Sequence, residues 1–400
     1  MDLNDMEYRL TKDALLEDLY IAHQCARKHK ASKSYVKDFE ENLQENLQQL
    51  CDELWDKTYE ALPSNCFIIN YPKKREVFAA QYRDRIVHHL YFNYTHGLFE
   101  RTFIEDSYSC IKGRGTSYGV ERLAKHIRQE SLNYKVPCYV LNLDIRGYFI
   151  HINRKRLLDV ATESLRKMSC HKVSAHGTKR WREVIDVDFV LWLTEKIILL
   201  DPTENCIKIC PELEWEGLDR NKSLFYTEPD CGLPIGNLTS QLFSNVYLNV
   251  LDQYIKRVLK CRHYCRYVDD GRIISTDRQW LLSLVTPIET FLKENLQLEL
   301  HRGKLTIQEA WRGSEFLGIY IKPFRNYISN NALRRMNTNL AHLDYRNHER
   351  VWRTTCSYLG TLKHTSSYNI RRDMFMRKRF LEIAPLDAAL TKMNKLYCTI

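Results

Sequence analysis

The chain has 400 residues, a mass of 47.7 kDa and a formal net charge of +10, with 44% hydrophobic and 28% charged residues. That balance supports a sizeable core in two or three ordinary modules and excludes wholesale disorder. Only 14 glycines and 10 prolines occur, which rules out collagen-like and low-complexity chains, and no apolar run nears the roughly 20 residues that cross a bilayer.

In chain order, the acidic start Met1–Asp5 lacks the basic and apolar blocks of a signal peptide, so a cytoplasmic protein is expected. Residues 1–60 are expected to be helical, with Phe39, Leu43, Leu47, Leu50 and Leu54 marking one apolar stripe. Pro63 ends that region, and an extended stretch from Asn65 to about Ile86 carries the basic run Pro72-Lys73-Lys74-Arg75. Helices over 86–100 and 117–132 flank the glycine-punctuated loop Lys112-Gly113-Arg114-Gly115-Thr116. A strand over Val136–Leu143 ends in Asp144, and Leu157, Leu158, Ala161, Leu165 and Met168 line one side of the next helix.

Residues 200–231, with Pro202, Pro211 and Pro229, are expected to be irregular. A long helix over Leu238–Leu259 precedes a hairpin with arms His263–Val268 and Arg272–Ser275, turning at Asp269-Asp270-Gly271. A helix over Gln279–Asn295, strands near 297–310 and 315–322, and a basic helical tail complete the chain. From Tyr320 to Ile400 there are 15 Lys/Arg against 5 Asp/Glu, so the whole positive surplus lies there. Arg346, Arg350 and Arg353 fall at i, i+4, i+7 on one helical face, and a nucleic-acid backbone is the favoured partner of such a charge. The 13 cysteines are odd in number, and Cys206/Cys210 and Cys261/Cys265 lack the C-x-x-C spacing of zinc knuckles. Buried free thiols are therefore favoured over a metal–thiolate site.

Two places set an Asp at the tip of an apolar strand: Leu141-Asn142-Leu143-Asp144-Ile145 and Arg266-Tyr267-Val268-Asp269-Asp270-Gly271. Singly, each could be a hairpin turn or a helix cap. If the strands pair, Asp144 and Asp269 converge, and clustered carboxylates need a divalent cation between them. Hard oxygen ligands suit Mg²⁺, and two such ions can activate an attacking 3′-hydroxyl and stabilise leaving pyrophosphate, which is nucleotidyl transfer.

These residues resemble the reverse transcriptases. Tyr267-Val268-Asp269-Asp270 is similar to their YxDD box and Leu143–Phe149 to the preceding catalytic-strand motif. Lys73-Lys74-Arg75, Arg83–Val87, Asp106-Ser107-Tyr108 and Lys112–Gly115 resemble fingers motifs, and Phe316-Leu317-Gly318 the primer-grip strand. Ile235-Gly236-Asn237-Leu238-Thr239-Ser240-Gln241, with Ile and Gln where most members have Gln and Pro, resembles the enzymes of diversity-generating retroelements, which misincorporate opposite template adenines.

The resemblance implies an α+β right-hand polymerase. Its expected parts are an N-terminal helical extension (1–61), fingers (62–135), a palm with an antiparallel sheet and an insertion near 200–231 (136–322), and a basic helical thumb (323–400). It implies that Asp144 and Asp269 bind two Mg²⁺ ions (Mn²⁺ substituting), with the Ile145 carbonyl and Asp270 contributing, and Lys304 giving a proton to pyrophosphate. Lys73 and Arg75 would hold the dNTP triphosphate, with Ile235, Gly236 and Gln241 beside the nucleotide and Phe149 under its sugar, excluding a 2′-hydroxyl. Arg114, Gly318, Arg346, Arg350 and Arg353 would touch template RNA or the RNA–DNA duplex. A small basic accessory protein is an expected partner, a membrane is not, and a prokaryotic or phage source is implied. An antiviral-defence or group II intron-like reverse transcriptase, an RNA-dependent RNA polymerase and a non-catalytic RNA-binding relic are the alternatives.

Overall fold

The computed structural model describes residues 7–70, 73–174 and 177–394; Met1–Asp5 and Pro72 lie outside the described residues. Helices α1 (Lys12–Arg27), α2 (Ser34–Glu40) and α3 (Leu43–Trp55) come first. The stripe expected on one face is divided between α2 and α3, because Asn42, at φ −126°, leaves the helical path. Strands β1 (Ser64–Ile69) and β2 (Arg75–Ala79) follow, and α4 (Tyr82–Glu100) begins earlier than expected. Asp84 in its first turn complements the helix dipole, and the Arg85 amide already donates to the Gln81 carbonyl.

Next come α5 (Thr116–Glu130), β3 (Tyr139–Leu143), the single turn α6 (Tyr148–His151), α7 (Arg154–Ser169) and α8 (Val187–Leu199). Leu157, Ala161 and Leu165 are the buried positions of the expected α7 face. The stretch expected to be irregular contains β4 (Cys206–Lys208), which pairs in parallel with β1 through Ser64↔Cys206. Helix α9 (Leu238–Gln253) runs into a π-helical turn at Tyr254–Val258, and β5 (His263–Tyr267) and β6 (Asp270–Ser275) form the hairpin.

The helix expected over 279–295 is two, α10 (Arg278–Ser283) and α11 (Val285–Leu296), with Pro287 tolerated in the first turn of the second. Strands β7 (Thr306–Glu309), β8 (Ser314–Phe316), β9 (Ile319–Lys322) and β10 (Arg325–Ile328) precede α12 (Asn330–Ala341), α13 (His348–Leu362), α14 (Tyr368–Phe375) and α15 (Lys378–Leu381). Arg346 is not on the helix that carries Arg350 and Arg353. Asn347 caps α13 by accepting the Arg350 amide at 3.0 Å, and Asp344 turns the chain before it. Among the described residues no helix is long and apolar enough to cross a membrane.

The chain divides into two compact units. One comprises Met1–Glu105, Ile145–Lys260 and Thr286–His301, with α4 packed against α1, α7, α8 and α9 and a β2-β1-β4 sheet. The Arg83–His89 stretch grips the N-terminal helices. Asp84 is buried and accepts from the Tyr59 hydroxyl (2.9 Å) and the Leu62 amide (3.1 Å), Arg83 pairs with Glu53, and the Arg85 guanidinium lies 4.9 Å from the Tyr35 ring centre.

The other unit comprises Asp106–Asp144, Cys261–Val285 and Arg302–Ile400. It holds a four-stranded antiparallel sheet in the order β5-β6-β3-β7, with α5 against β5 and β6, and a three-stranded sheet β10-β9-β8. Val140, Ile274, Phe316, Met336, Leu359 and Phe375 share its core. The result is the α+β class expected, with a palm-type antiparallel sheet.

Candidate active site

Strand β3 buries Val140 on one face and Leu141 and Leu143 on the other, and the chain leaves the sheet at Asp144. Leu143 pairs with Gly271, which sets Asp144 beside the hairpin tip. That tip differs from the expected one: Tyr267 pairs with Asp270, so the two-residue turn is Val268-Asp269 and Asp270 opens β6. Val268 has φ +55°, a left-handed backbone that costs a β-branched residue roughly 1–2 kcal/mol.

Arg266 offsets that cost. Its guanidinium, buried with the side chain, donates to the Val268 carbonyl at 2.6 Å. The Arg266 main chain is clamped in turn, with its amide to the Asp106 carbonyl (2.9 Å) and its carbonyl accepting the Tyr108 amide (3.1 Å). Asp106 accepts from Arg122 at 2.6 and 3.0 Å, from His126 at 2.9 Å and from the Tyr108 hydroxyl at 2.9 Å. Burial alone would raise the Asp106 carboxyl, yet these donors hold it well below the usual carboxylate range.

Three carboxylates therefore meet at one end of the sheet. Burial first, and then the charge of Asp144, push Asp269 up to about 6. Asp270 is raised mainly by burial, against the opposing pull of Arg272. Arg272 pairs with Asp270, donates to the Gly271 (2.8 Å) and Glu315 (3.2 Å) carbonyls, and rests its guanidinium 5.0 Å from the ring centre of buried Phe316. Lys304, in the turn before β7, places Nζ 2.9 Å from both oxygens of Asp144. An ammonium between those oxygens marks where positive charge is wanted. Oxygen-only donors suit a hard divalent cation that keeps several ligand positions for water and phosphate. Among the described residues no group of three or more His, Cys, Asp or Glu side chains is drawn in tightly enough to cage a metal by itself.

Ile145, the next residue along the chain, opens a segment of the other unit, within which the remaining nucleotide-contact candidates also lie. There the segment around Gly236 is tied on two sides. The Phe78 amide donates to the Ile235 carbonyl (2.9 Å) and the Ala80 amide to the Asn237 side chain (3.3 Å), while the Leu233 amide donates to the Phe149 carbonyl (2.8 Å). Gly236, at φ +132°, lies so close to β2 that a Cβ would stand 2.7 Å from the Phe78 carbonyl oxygen. Phe149 is half-buried in α6, its ring edge-on to Tyr148 with centroids 5.4 Å apart. Gln241 is exposed in the first turn of α9, and Lys73 and Arg75 are exposed at the start of β2. The structure thus brings Phe149, Ile235 and Gly236 onto one hydrogen-bonded frame.

Of the nucleic-acid candidates, Arg114 donates to the Ser107 carbonyl (3.1 Å), and Gly318 (φ +80°) forms with Leu317 (φ +53°) the tight turn between β8 and β9. Arg346 pairs with Asp344 (3.3 Å) and Arg353 with Glu349 (2.5 Å), while Arg350 is exposed. Cys206 and Cys210 both influence Cys66, where burial pushes the thiol far up, which disfavours a thiolate. Arg266 and Arg272 escaped sequence reasoning, although two arginines flanking an acidic tip in apolar strands are themselves a signal.

Comparison with curated protein sequences finds no match. Among solved structures, telomerase from Candida albicans in complex with a TWJ fragment of telomeric RNA matches with a TM-score of 0.45 and 11% identity, covering 72% of this chain and 50% of that one. Apo telomerase from Candida tropicalis matches with a TM-score of 0.46 and 10% identity, covering 81% of this chain and 57% of that one. The chain spans about half the length of these structures. Residues 73–362 match the family model described as reverse transcriptase (RNA-dependent DNA polymerase), and the chain belongs to the reverse transcriptase family.

Proposed function

We propose that this protein is an RNA-directed DNA polymerase that copies a template RNA into cDNA, and that it is the adenine-mutagenic enzyme of a diversity-generating retroelement. The observation that carries the polymerase reading is the convergence of Asp144, Asp269 and Asp270 at the hairpin tip, with Lys304 across Asp144. In this reading Asp144 and Asp269 hold two Mg²⁺ ions, aided by the Ile145 carbonyl and by Asp270, which Arg272 fixes. The ions would supply the Lewis acidity that makes the primer 3′-hydroxyl a nucleophile and stabilises the pyrophosphate leaving group. Lys304, freed from Asp144, would donate a proton to that pyrophosphate.

Lys73 and Arg75 bind the triphosphate as point charge and fork. Phe149, whose backbone Leu233 fixes, packs under the sugar and excludes a 2′-hydroxyl. Arg114, Gly318, Arg350 and, less directly, Arg346 and Arg353 position template RNA and the RNA–DNA duplex through phosphates and 2′-hydroxyls.

The mutagenic subtype is supported by Ile235. Its carbonyl is engaged by Phe78, so only an apolar side chain is left to meet the nucleotide, with no group to hydrogen-bond a base edge or sugar. The test is purified protein with a structured template RNA, Mg²⁺ and dNTPs, in the presence and absence of a small basic accessory protein, followed by sequencing of the cDNA. Errors concentrated opposite adenine support the subtype, and uniform fidelity defeats it while leaving the polymerase intact. Absence of any DNA product would favour an RNA-binding role.

A further inference from the structure

Leu132, Asn133 and Tyr134 are three consecutive non-glycine residues with φ of +48°, +61° and +65°. Left-handed turns of L-residues are costly and persist only where the surroundings fix them. Here the Asn133 amide donates to the Arg128 carbonyl (2.7 Å), the Tyr134 amide to Ser131 Oγ (2.9 Å), and the Lys135 amide to the Ser131 carbonyl (2.9 Å). The turn brings the Tyr134 ring edge-on to Phe324 and Trp311, with centroids 5.0 and 6.4 Å away. Phe324 is itself left-handed at φ +63° and is 72% exposed, while Trp311 is 60% exposed. Phe324 and Trp311 therefore present their rings to solvent, with the half-buried Tyr134 ring against both.

Cations surround this ledge. Burial raises the Tyr134 phenol, and Arg128 beside it acts in the opposite direction. Lys322 and Arg325 are exposed on either side of the β9–β10 turn that carries Phe324. Arg312, next to Trp311, is exposed and holds Glu309 only loosely, at 3.6 Å. Glu130, the nearby acid of α5, is engaged by the Thr276 amide and His263. The ledge also stands apart from the carboxylates. Tyr139 pairs with Glu309 at this end of β3, and Asp144 lies five residues on, roughly 17 Å along the strand.

We propose that Tyr134, Phe324 and Trp311 form a stacking ledge for a single-stranded segment of RNA, with the surrounding lysines and arginines on its phosphates. Base–aromatic stacking tolerates any sequence, and phosphate contacts give the binding its salt dependence. Lysine is depleted in protein-docking cores, whereas exposed Lys322 and Arg325 beside these rings suit the phosphates and bases of a polynucleotide. This site goes beyond the polymerase reading, and its test needs no DNA synthesis.

The experiment is fluorescence anisotropy of the full chain with a labelled mixed-sequence 20-nucleotide RNA, without dNTPs. It compares the wild type with a Trp311→Ser/Phe324→Ser double variant and a Lys322→Gln/Arg325→Gln double variant, each confirmed folded by thermal melting. The aromatic variant should bind roughly tenfold more weakly or worse with the salt slope unchanged, and the cation variant should lower that slope by about 1–2. Photo-crosslinks from 4-thiouridine RNA should fall on peptides containing Trp311 or Phe324. Unchanged affinity of the folded aromatic variant, an equal loss for blunt double-stranded RNA, or crosslinks confined elsewhere would overturn the ledge. So would loss of a co-purifying protein from a variant that still binds RNA normally.

Discussion

The Lys304 ammonium sits 2.9 Å from each carboxylate oxygen of Asp144, so the lysine neutralises the acid that the proposed cations would otherwise engage. Lys304→Gln should therefore lower the half-saturating Mg²⁺ concentration, because the site becomes more negative. Turnover should fall by roughly 10²-fold if the lysine is also the proton donor. Steady-state kinetics across a Mg²⁺ titration separate the two effects, and a higher Mg²⁺ requirement would refute the competition.

Asp269 illustrates a conflict between stability and chemistry. Its folded-state carboxyl, at about 6, lies above the ordinary value near 3.9 of an unfolded chain. The native state thus binds the extra proton, and metal-free stability should fall as pH rises from about 4 to 6, then level off. Asp269→Asn should raise the metal-free melting temperature at pH 7 while reducing polymerisation by roughly 10²–10³-fold or more. A variant that melts lower and still polymerises would contradict both halves.

Arg272 braces Asp270 and spans to the Glu315 carbonyl and the Phe316 ring. Arg272→Ala leaves a largely enclosed carboxylate without its partner and should destabilise the protein by about 2–4 kcal/mol in urea unfolding. Arg272→Lys retains charge but not the fork, so it should recover only part of that loss. Equal stability of the two variants would show that packing, not pairing, matters here.

Asp84 provides a second pH-dependent element, remote from the carboxylate tip in sequence. Burial raises it to about 6 despite donors from Tyr59 and Leu62. Its folded value exceeds the unfolded one, so its stabilising share is complete below about pH 4 and is lost as pH rises through about 6, a swing of about 3 kcal/mol. Asp84→Asn should flatten that part of the stability curve, which urea unfolding between pH 4 and 7 measures. An unchanged slope would place the titration elsewhere.

Ile235→Gln restores a hydrogen-bonding side chain on a backbone already held by Phe78. Errors opposite template adenine should drop by about tenfold, the worth of one such discriminating contact, with little change opposite the other bases. Sequenced cDNA decides this, and an unchanged adenine error rate would remove Ile235 from the fidelity argument.

Much of the carboxylate site was legible because apolar strand runs and acidic tips are local features. Leu141, Leu143 and Asp144 lie as their pattern requires, and the antiparallel hairpin is present. Its turn was misplaced by the usual preference of Asp-Gly for tight turns. Val268 has no such preference, and its left-handed backbone is intelligible only once Arg266, clamped by Asp106 and Tyr108, is seen to hold its carbonyl. Strand β4 was hidden for a related reason: three residues between prolines become a strand only because the β1 edge is available. Arg346 looked helical by spacing alone, but Asp344 and Asn347 provide turn and cap chemistry that outweighs the periodicity. The N-terminal stripe keeps Leu47, Leu50 and Leu54 buried but is split between two helices at Asn42, whose backbone leaves the helical path without a side-chain cap.

The middle position of β3 in its sheet has a consequence for biosynthesis. Its two hydrogen-bonding neighbours, β6 and β7, are encoded roughly 130 and 160 residues downstream. At ordinary ribosome speeds of about 5–20 residues per second, the apolar Tyr139–Leu143 segment emerges roughly ten seconds before either edge can be satisfied. A nascent chain of this protein thus carries an open, sticky strand while roughly 130 further residues are made, and chaperone capture during that interval would govern how much of it matures.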